Sequence, residues 1–194
     1  VTGSDAPAKP WNPPPLILTL RLDQARQVRF DALRQEHFPP ERNYLSSHVT
    51  LFHHLPGADV LEIIRRLRAV VDGRPPPLVT VQSVASLGRG VAFRLSSPET
   101  LEIRRALAAE WRPHLTPQDR NFGGLHVTVQ NKVAPEAAHA LLARLRSSFA
   151  PDDFHAPGLD LWRYLGGPWE HVEAFDFAPR QGAGVGFSAG AGGN

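Results

Sequence analysis

At 194 residues the chain has room for one ordinary domain or two small lobes sharing a core, and 42% hydrophobic with 21% charged residues is a globular balance. The absence of cysteine excludes disulfides and thiolate metal sites, and a formal charge of +2 permits an anionic substrate without marking a basic arm. No apolar run approaches the roughly 20 residues of a membrane span and the opening lacks signal-peptide character, so a soluble cytoplasmic monomer with no membrane partner is the expectation.

Residues 1–15 are polar and proline-rich and read as a flexible leader before Leu16-Ile17-Leu18-Thr19-Leu20, a buried strand. Asp23 caps a predicted helix through about Phe38, with Val28, Leu33, Ala25 and Ala32 as its inner stripe, and Pro39-Pro40 end it. A loop from Glu41 to Ser47 leads into the strand His48-Val49-Thr50-Leu51. Ala58 to Val71 then reads as a second helix, because Val60, Ile63, Ile64, Leu67 and Val71 recur at i, i+3, i+4 spacing. Leu78-Val79-Thr80-Val81 begins another strand, and Gly88-Arg89-Gly90 turns it into a hairpin with Val91 to Leu95.

The same order returns. Ser97 caps a helix from Pro98 to about Trp111, a loop from Pro113 to Leu125 delivers the strand His126-Val127-Thr128-Val129, and Pro135 opens a helix through Phe149 with Ala138, Leu141, Leu142 and Leu145 as its stripe. Leu159 to Tyr164 alternates as a strand, with Glu170 to Phe177 as its antiparallel partner across Gly166-Gly167-Pro168. The glycine-rich stretch 180–194 has too little apolar surface to fold and reads as a flexible tail. Residues 16–179 thus form one domain in which strand, helix, His-x-Thr strand, helix, strand occurs twice. The motifs are offset by 78 residues, from 48 to 126, and the flanking helices by 75 and 77.

Alternation along a strand puts His48 and Thr50 on one face, and likewise His126 and Thr128. Across a shared groove two imidazoles form an acid and a base that work near neutrality, each typically contributing about 10²–10⁴-fold in rate. The hydroxyls suit the non-bridging oxygens of a phosphoryl group. The four groups together fit in-line displacement at a phosphodiester.

The paired tetrapeptides, each followed by a helix, resemble the 2H phosphoesterase superfamily, and the longer strings from Ser47 to Pro56 and from His126 to Val133 are similar to its bacterial 2′-5′ RNA ligase-like branch. The resemblance covers about residues 14–179. It implies a bilobal α+β fold with two antiparallel sheets facing a central cleft and helices packed outside. It also implies hydrolysis of RNA 2′,3′-cyclic phosphates to 2′-phosphates, reversible 2′-5′ ligation, and no cofactor or metal. By that analogy His48 protonates the leaving 3′ oxygen and His126 activates water. Better-known members carry an arginine where this chain has Asn131; Lys132, taken at the strand parity of His126, is the expected substitute. The substrate expectation spans RNA ends, oligonucleotides and nucleotide cyclic phosphates.

Further substrate contacts expected are Phe52, at the parity of His48, and Trp169 for stacking on a base, with Arg42 and Tyr44 before the first motif and Arg120 before the second as rim residues. Phe52 reads equally as a core side chain, and Lys132 equally as a solvated strand end. His54 shares parity with His48, but no carboxylate or cysteine stands at ligand spacing, so no metal site is expected. Two alternatives stand beside the phosphodiesterase: a module that binds RNA ends or a nucleotide without turnover, and a hydrolase of a small cyclic phosphate unrelated to RNA.

Overall fold

The computed structural model describes residues 13–179, so twelve residues of the expected leader and the whole expected tail lie outside it. Pro15 already belongs to the fold, its carbonyl accepting from the Tyr164 amide at 2.9 Å. The chain forms β1 (Leu16–Leu20), α1 (Gln24–His37), β2 (Val49–Leu55), α2 (Val60–Val71), β3 (Asp72–Gly73), β4 (Leu78–Ser86), β5 (Val91–Ser96), α3 (Pro98–Glu110), α4 (Pro117–Arg120), β6 (His126–Gln130), α5 (Pro135–Ser147), β7 (Asp152–His155), β8 (Gly158–Tyr164), β9 (Trp169–Asp176) and β10 (Ala178–Pro179).

Two four-stranded antiparallel sheets carry the architecture, in the orders β2-β1-β8-β9 and β6-β5-β4-β7, with a short parallel pair between β3 and β10. This is the expected α+β class. The two repeats are interlocked. The last strand of the first repeat, β4, pairs with β5 of the second, and the last strand of the second, β8, pairs with β1 of the first. Each His-x-Thr strand is an edge strand of its sheet.

The helices interlock too, and this explains why α1 departs from its predicted stripe. Val28 is 65% exposed and Ala25 and Ala32 are exposed, whereas Phe30 and Arg34 are buried. Phe30 meets Phe93 of β5 with ring centroids 5.1 Å apart, so the helix of the first repeat packs on the sheet of the second. In the other direction Trp111, just after α3, meets Phe52 of β2 at 5.4 Å. The helices α2 and α5 turn their expected stripes to the core, with Ile63, Leu67, Val71, Ala138 and Leu141 buried and Val60, Ile64, Leu142 and Leu145 half-buried against it. Apolar burial at about 25 cal/mol per Å² makes such stripes the main stabilising feature of an amphipathic helix.

Candidate active site

The inner face of α1 builds the approach to the first motif. Gln27, Arg34 and the neighbouring Asp31 hold the loop that precedes His48: Arg34 donates from Nε to Asn43 Oδ1 at 2.7 Å and to the Leu45 carbonyl at 3.0 Å, the Ser47 amide donates to Asp31 Oδ1 at 2.5 Å, and Gln27 Nε2 donates to the Ser47 carbonyl at 2.9 Å. So pinned, the Ser46 carbonyl accepts from His48 Nδ1 at 2.8 Å. A carbonyl only accepts, so the proton is on Nδ1 and a neutral His48 presents an unprotonated Nε2.

The second motif repeats this geometry. His126 Nδ1 donates to the Gly124 carbonyl, again two residues upstream, at 3.0 Å. Gly124 has φ +90°, a conformation that L side chains rarely adopt, so glycine there shapes the turn that aims this carbonyl. His48, Thr50, His126 and Thr128 are all half-buried. Their strands converge, with β2 and β6 coming within 8 Å between Cα atoms. Arg34 fastens the convergence, since its Nη1 donates to the Thr128 carbonyl at 3.1 Å while its Nε holds the loop before His48. From the second repeat, Arg104 of α3 donates to the Leu51 carbonyl at 3.0 Å. Each guanidinium is buried, and burial lowers its pKa against the pull of Asp31 on Arg34 and of Asp119 on Arg104.

The surroundings of the two histidines differ. Trp169 lies against the His48 ring, centroids 4.6 Å apart. Burial pushes His48 down to about 4; the Ser46 bond opposes this, and the positive charge of Arg34, with His53 and His126, adds to the lowering. His126 has Arg94 directly across the ladder on the same face of its sheet. Arg94 Nη1 donates to the Gly123 carbonyl at 2.6 Å.

Of the other expected site residues, Trp169 and Tyr44 stand beside His48, where they help to line a recess of about 400 Å³. Phe52 does not. It is 0% exposed, under the Arg104 guanidinium and against Trp111. The reason is a β-bulge: Thr19 pairs with Thr50 but Leu18 with Phe52, so two residues of β2 stand opposite one and the alternation breaks after Thr50. Beyond the bulge His53 comes within electrostatic reach of His48, while His54 is exposed. Lys132 also departs from its expected parity, because β6 ends at Gln130 and Lys132 occupies a turn with φ 59°. Four strand steps from His126 to Gln130 already span about 13 Å, which puts Lys132 beyond the far end of the strand. Arg42 and Arg120 are exposed, the first 4.0 Å from Glu41 and the second donating to the Arg112 carbonyl at 3.5 Å; neither lines the recess.

Sequence reasoning missed Arg34, Arg94, His53 and Asp119. The fully buried Asp119 carboxylate accepts from the His53 amide at 2.7 Å, His53 Nδ1 at 3.1 Å and the His54 amide at 3.0 Å. Burial would raise this carboxyl, but the His53 and His54 bonds hold it below its usual range. Arg94 had a legible signal: an arginine in an apolar strand that pairs with the second motif. Among the described residues, no group of three or more His, Asp or Glu is arranged to hold a metal ion, and no helix is long and apolar enough to cross a membrane.

No curated protein sequence matches the chain. Among solved structures, TT0787 of Thermus thermophilus is similar with a TM-score of 0.61 at 13% identity, over 86% of this chain and 100% of that one. E. coli LigT complexed with NADP+ is similar with a TM-score of 0.54 at 16% identity, over 86% and 99%. LigT complexed with 3′-AMP gives 0.52 at 15%, over 85% and 98%. At these identities the likeness is one of fold. The model of the 2'-5' RNA ligase superfamily matches residues 22–168, a span that holds both His-x-Thr strands, both bridging arginines and the helices that carry them, and the chain belongs to that family.

Proposed function

We propose that the chain is a metal-independent phosphodiesterase that opens RNA-type 2′,3′-cyclic phosphates to 2′-phosphates and, when a 5′-hydroxyl attacks in place of water, reversibly forms 2′-5′ linkages. The observation that carries this reading is the matched pair of imidazoles, each at the start of its strand and each with Nδ1 tied to a carbonyl two residues back, in strands that converge. Two fixed proton carriers supply what an in-line displacement needs on its two sides.

His48, neutral at pH 7 because its surroundings disfavour the charged form, takes a proton from water at Nε2. That water attacks phosphorus, the bond from phosphorus to O3′ breaks, and His126 delivers its proton to the leaving 3′ oxygen, which leaves a 2′-phosphate. The division is the reverse of the one implied by the resemblance, and the desolvation of His48 supports it. Thr50 and Thr128 donate to the non-bridging oxygens. Arg94, beside His126, supplies the positive charge expected of Lys132, and charge-assisted bonds of this kind contribute about 1.5–3 kcal/mol each. The E. coli LigT structures with 3′-AMP, ATP and phosphate support a nucleotide phosphate as the ligand class.

The test is hydrolysis of a nucleoside 2′,3′-cyclic phosphate in EDTA, with the product position read by phosphorus NMR. A 2′-phosphate product, lost in His48→Ala and in His126→Ala, is the expected result; full activity in either variant rejects the assignment.

A further inference from the structure

The irregular pairing of β2 brings His53 onto the face of the motif threonine. Thr50 pairs with Thr19, Phe52 with Leu18 and Leu55 with Leu16, so His53 and His54 together stand against Ile17. Ile17 is two residues from Thr19 and shares its face of β1, the face that continues through Asp160 and Trp162 of β8 into the recess beside His48. Two steps along a strand span about 7 Å, so His53 follows Thr50 along the cleft at about that interval. It also lies within electrostatic reach of His48.

The His53 ring is held from behind. Asp119 Oδ1 accepts from the His53 amide at 2.7 Å and from His53 Nδ1 at 3.1 Å, while Oδ2 accepts from the His54 amide at 3.0 Å and from the Thr116 hydroxyl at 3.3 Å. These bonds fill a fully buried carboxylate, and a carboxylate only accepts, so the Nδ1 proton is committed to it. Arg104, itself buried, donates to the Asp119 carbonyl and to the Leu51 carbonyl, which fastens the Asp119 segment to β2. Bracing the edge of β2 needs only the two amides. The imidazole adds an Nε2 that has no partner among the described residues, on a side chain 37% exposed. A proton there makes the ring a cation with its second donor free and the Asp119 carboxylate as counter-charge.

We propose that His53 binds the phosphate next to the scissile one, so that the preferred substrate is a nucleotide carrying a 5′-phosphate, as the 3′-terminal residue of an RNA chain does, over a bare nucleoside cyclic phosphate. This rests on the phosphodiesterase reading and adds the substrate class to it. The 5′-phosphate of a terminal nucleotide lies one backbone step from the cyclic phosphate, a span comparable to that between Thr50 and His53. Asp119 is the positioning residue that fixes the ring.

Adenosine 2′,3′-cyclic phosphate and its 5′-phosphorylated form differ by that one group. The expected kcat/KM favours the 5′-phosphorylated substrate by about ten- to a hundredfold, as for one charge-assisted hydrogen bond. His53→Asn keeps a donor for Asp119 at the place of Nδ1 and deletes Nε2, and it should bring the two substrates within about twofold of each other. His54→Asn should leave the ratio at the parent value. Because the ratio is taken within one variant, a smaller folded fraction or a slower chemical step cancels, and a weakened brace alone does not move it. Should His53→Asn not fold, His53→Gln is read in its place; its uncharged amide should cut the ratio at least about threefold. Equal kcat/KM for the two substrates, or a preference that survives the His53 substitution, overturns the proposal and leaves the phosphodiesterase intact. Should neither substrate turn over, the phosphodiesterase reading fails on its own. Equilibrium binding of adenosine 3′,5′-bisphosphate and adenosine 3′-monophosphate then decides the phosphate subsite: tighter binding of the bisphosphate, lost in His53→Asn, supports it, and equal binding overturns it.

Discussion

The two halves of the molecule present the same tetrapeptide in the same backbone setting and give it different surroundings. Around His48 stand an indole at 4.6 Å, a buried guanidinium and a recess large enough for a nucleoside. Around His126 stand the start of an edge strand and a cross-strand arginine. A duplicated scaffold places two chemically identical groups in unlike surroundings, and under the proposed reaction the residues that break the symmetry decide which gives a proton and which takes one. Environment rather than identity then sets the roles, as expected for paired titratable groups in one site.

The comparison breaks hardest at the histidines. His126→Ala and His48→Ala are each expected to lower kcat/KM on a nucleoside 2′,3′-cyclic phosphate by about 10²–10⁴-fold, measured in EDTA. Asp119→Asn comes next, because it sets an NH2 or a single carbonyl oxygen against donors that now meet a buried carboxylate. A loss of about 3 kcal/mol in urea unfolding is expected, and a loss under about 1 kcal/mol would refute the bracing role of Asp119. Arg94→Gln should raise KM about tenfold, the equivalent of one charge-assisted bond, whereas Lys132→Gln should leave kcat/KM within about twofold. Equal losses for the two would return Lys132 to the site.

The smaller effects are in pH. With His48 held near 4, the acid limb of the kcat/KM profile is expected well below the ordinary imidazole range, and Trp169→Ala should move it upward. An unmoved limb would separate Trp169 from the tuning of His48. The same shift acts on folding. A histidine whose pKa is lower folded than unfolded takes its proton first in the unfolded chain, so it contributes nothing above the ordinary value of 6.5 and costs stability as pH falls from there toward 4. His48→Gln should therefore lose less stability than the parent between about pH 7 and pH 4.5 in urea titrations, and parallel losses would contradict it.

Much of this was legible in the chain, and the failures have physical causes. The stripes of α2 and α5 face a core and read correctly, because burial there is purely apolar. The stripe of α1 misled, because its inward face holds the loop before His48 with Gln27 and Arg34 and leaves Val28 to solvent. Strand parity placed Thr50 with His48 but failed at Phe52, where one extra residue in the pairing reverses the alternation. Parity failed again at Lys132, where the strand had already ended.

The sequence by itself determined the local groups: two imidazoles with companion hydroxyls, in strands, at corresponding places of a repeat. Those follow from residue type and period, which are properties of a few neighbouring positions. Only the tertiary structure decided that β4 and β8 change partners, that Arg34 and Arg104 each reach the other repeat's motif strand, and that the indole of Trp169, far along the chain from His48, shields one ring and not the other. Contacts between residues so distant along the chain are set by strand pairing and helix packing across the two repeats, and no local pattern in the chain encodes them.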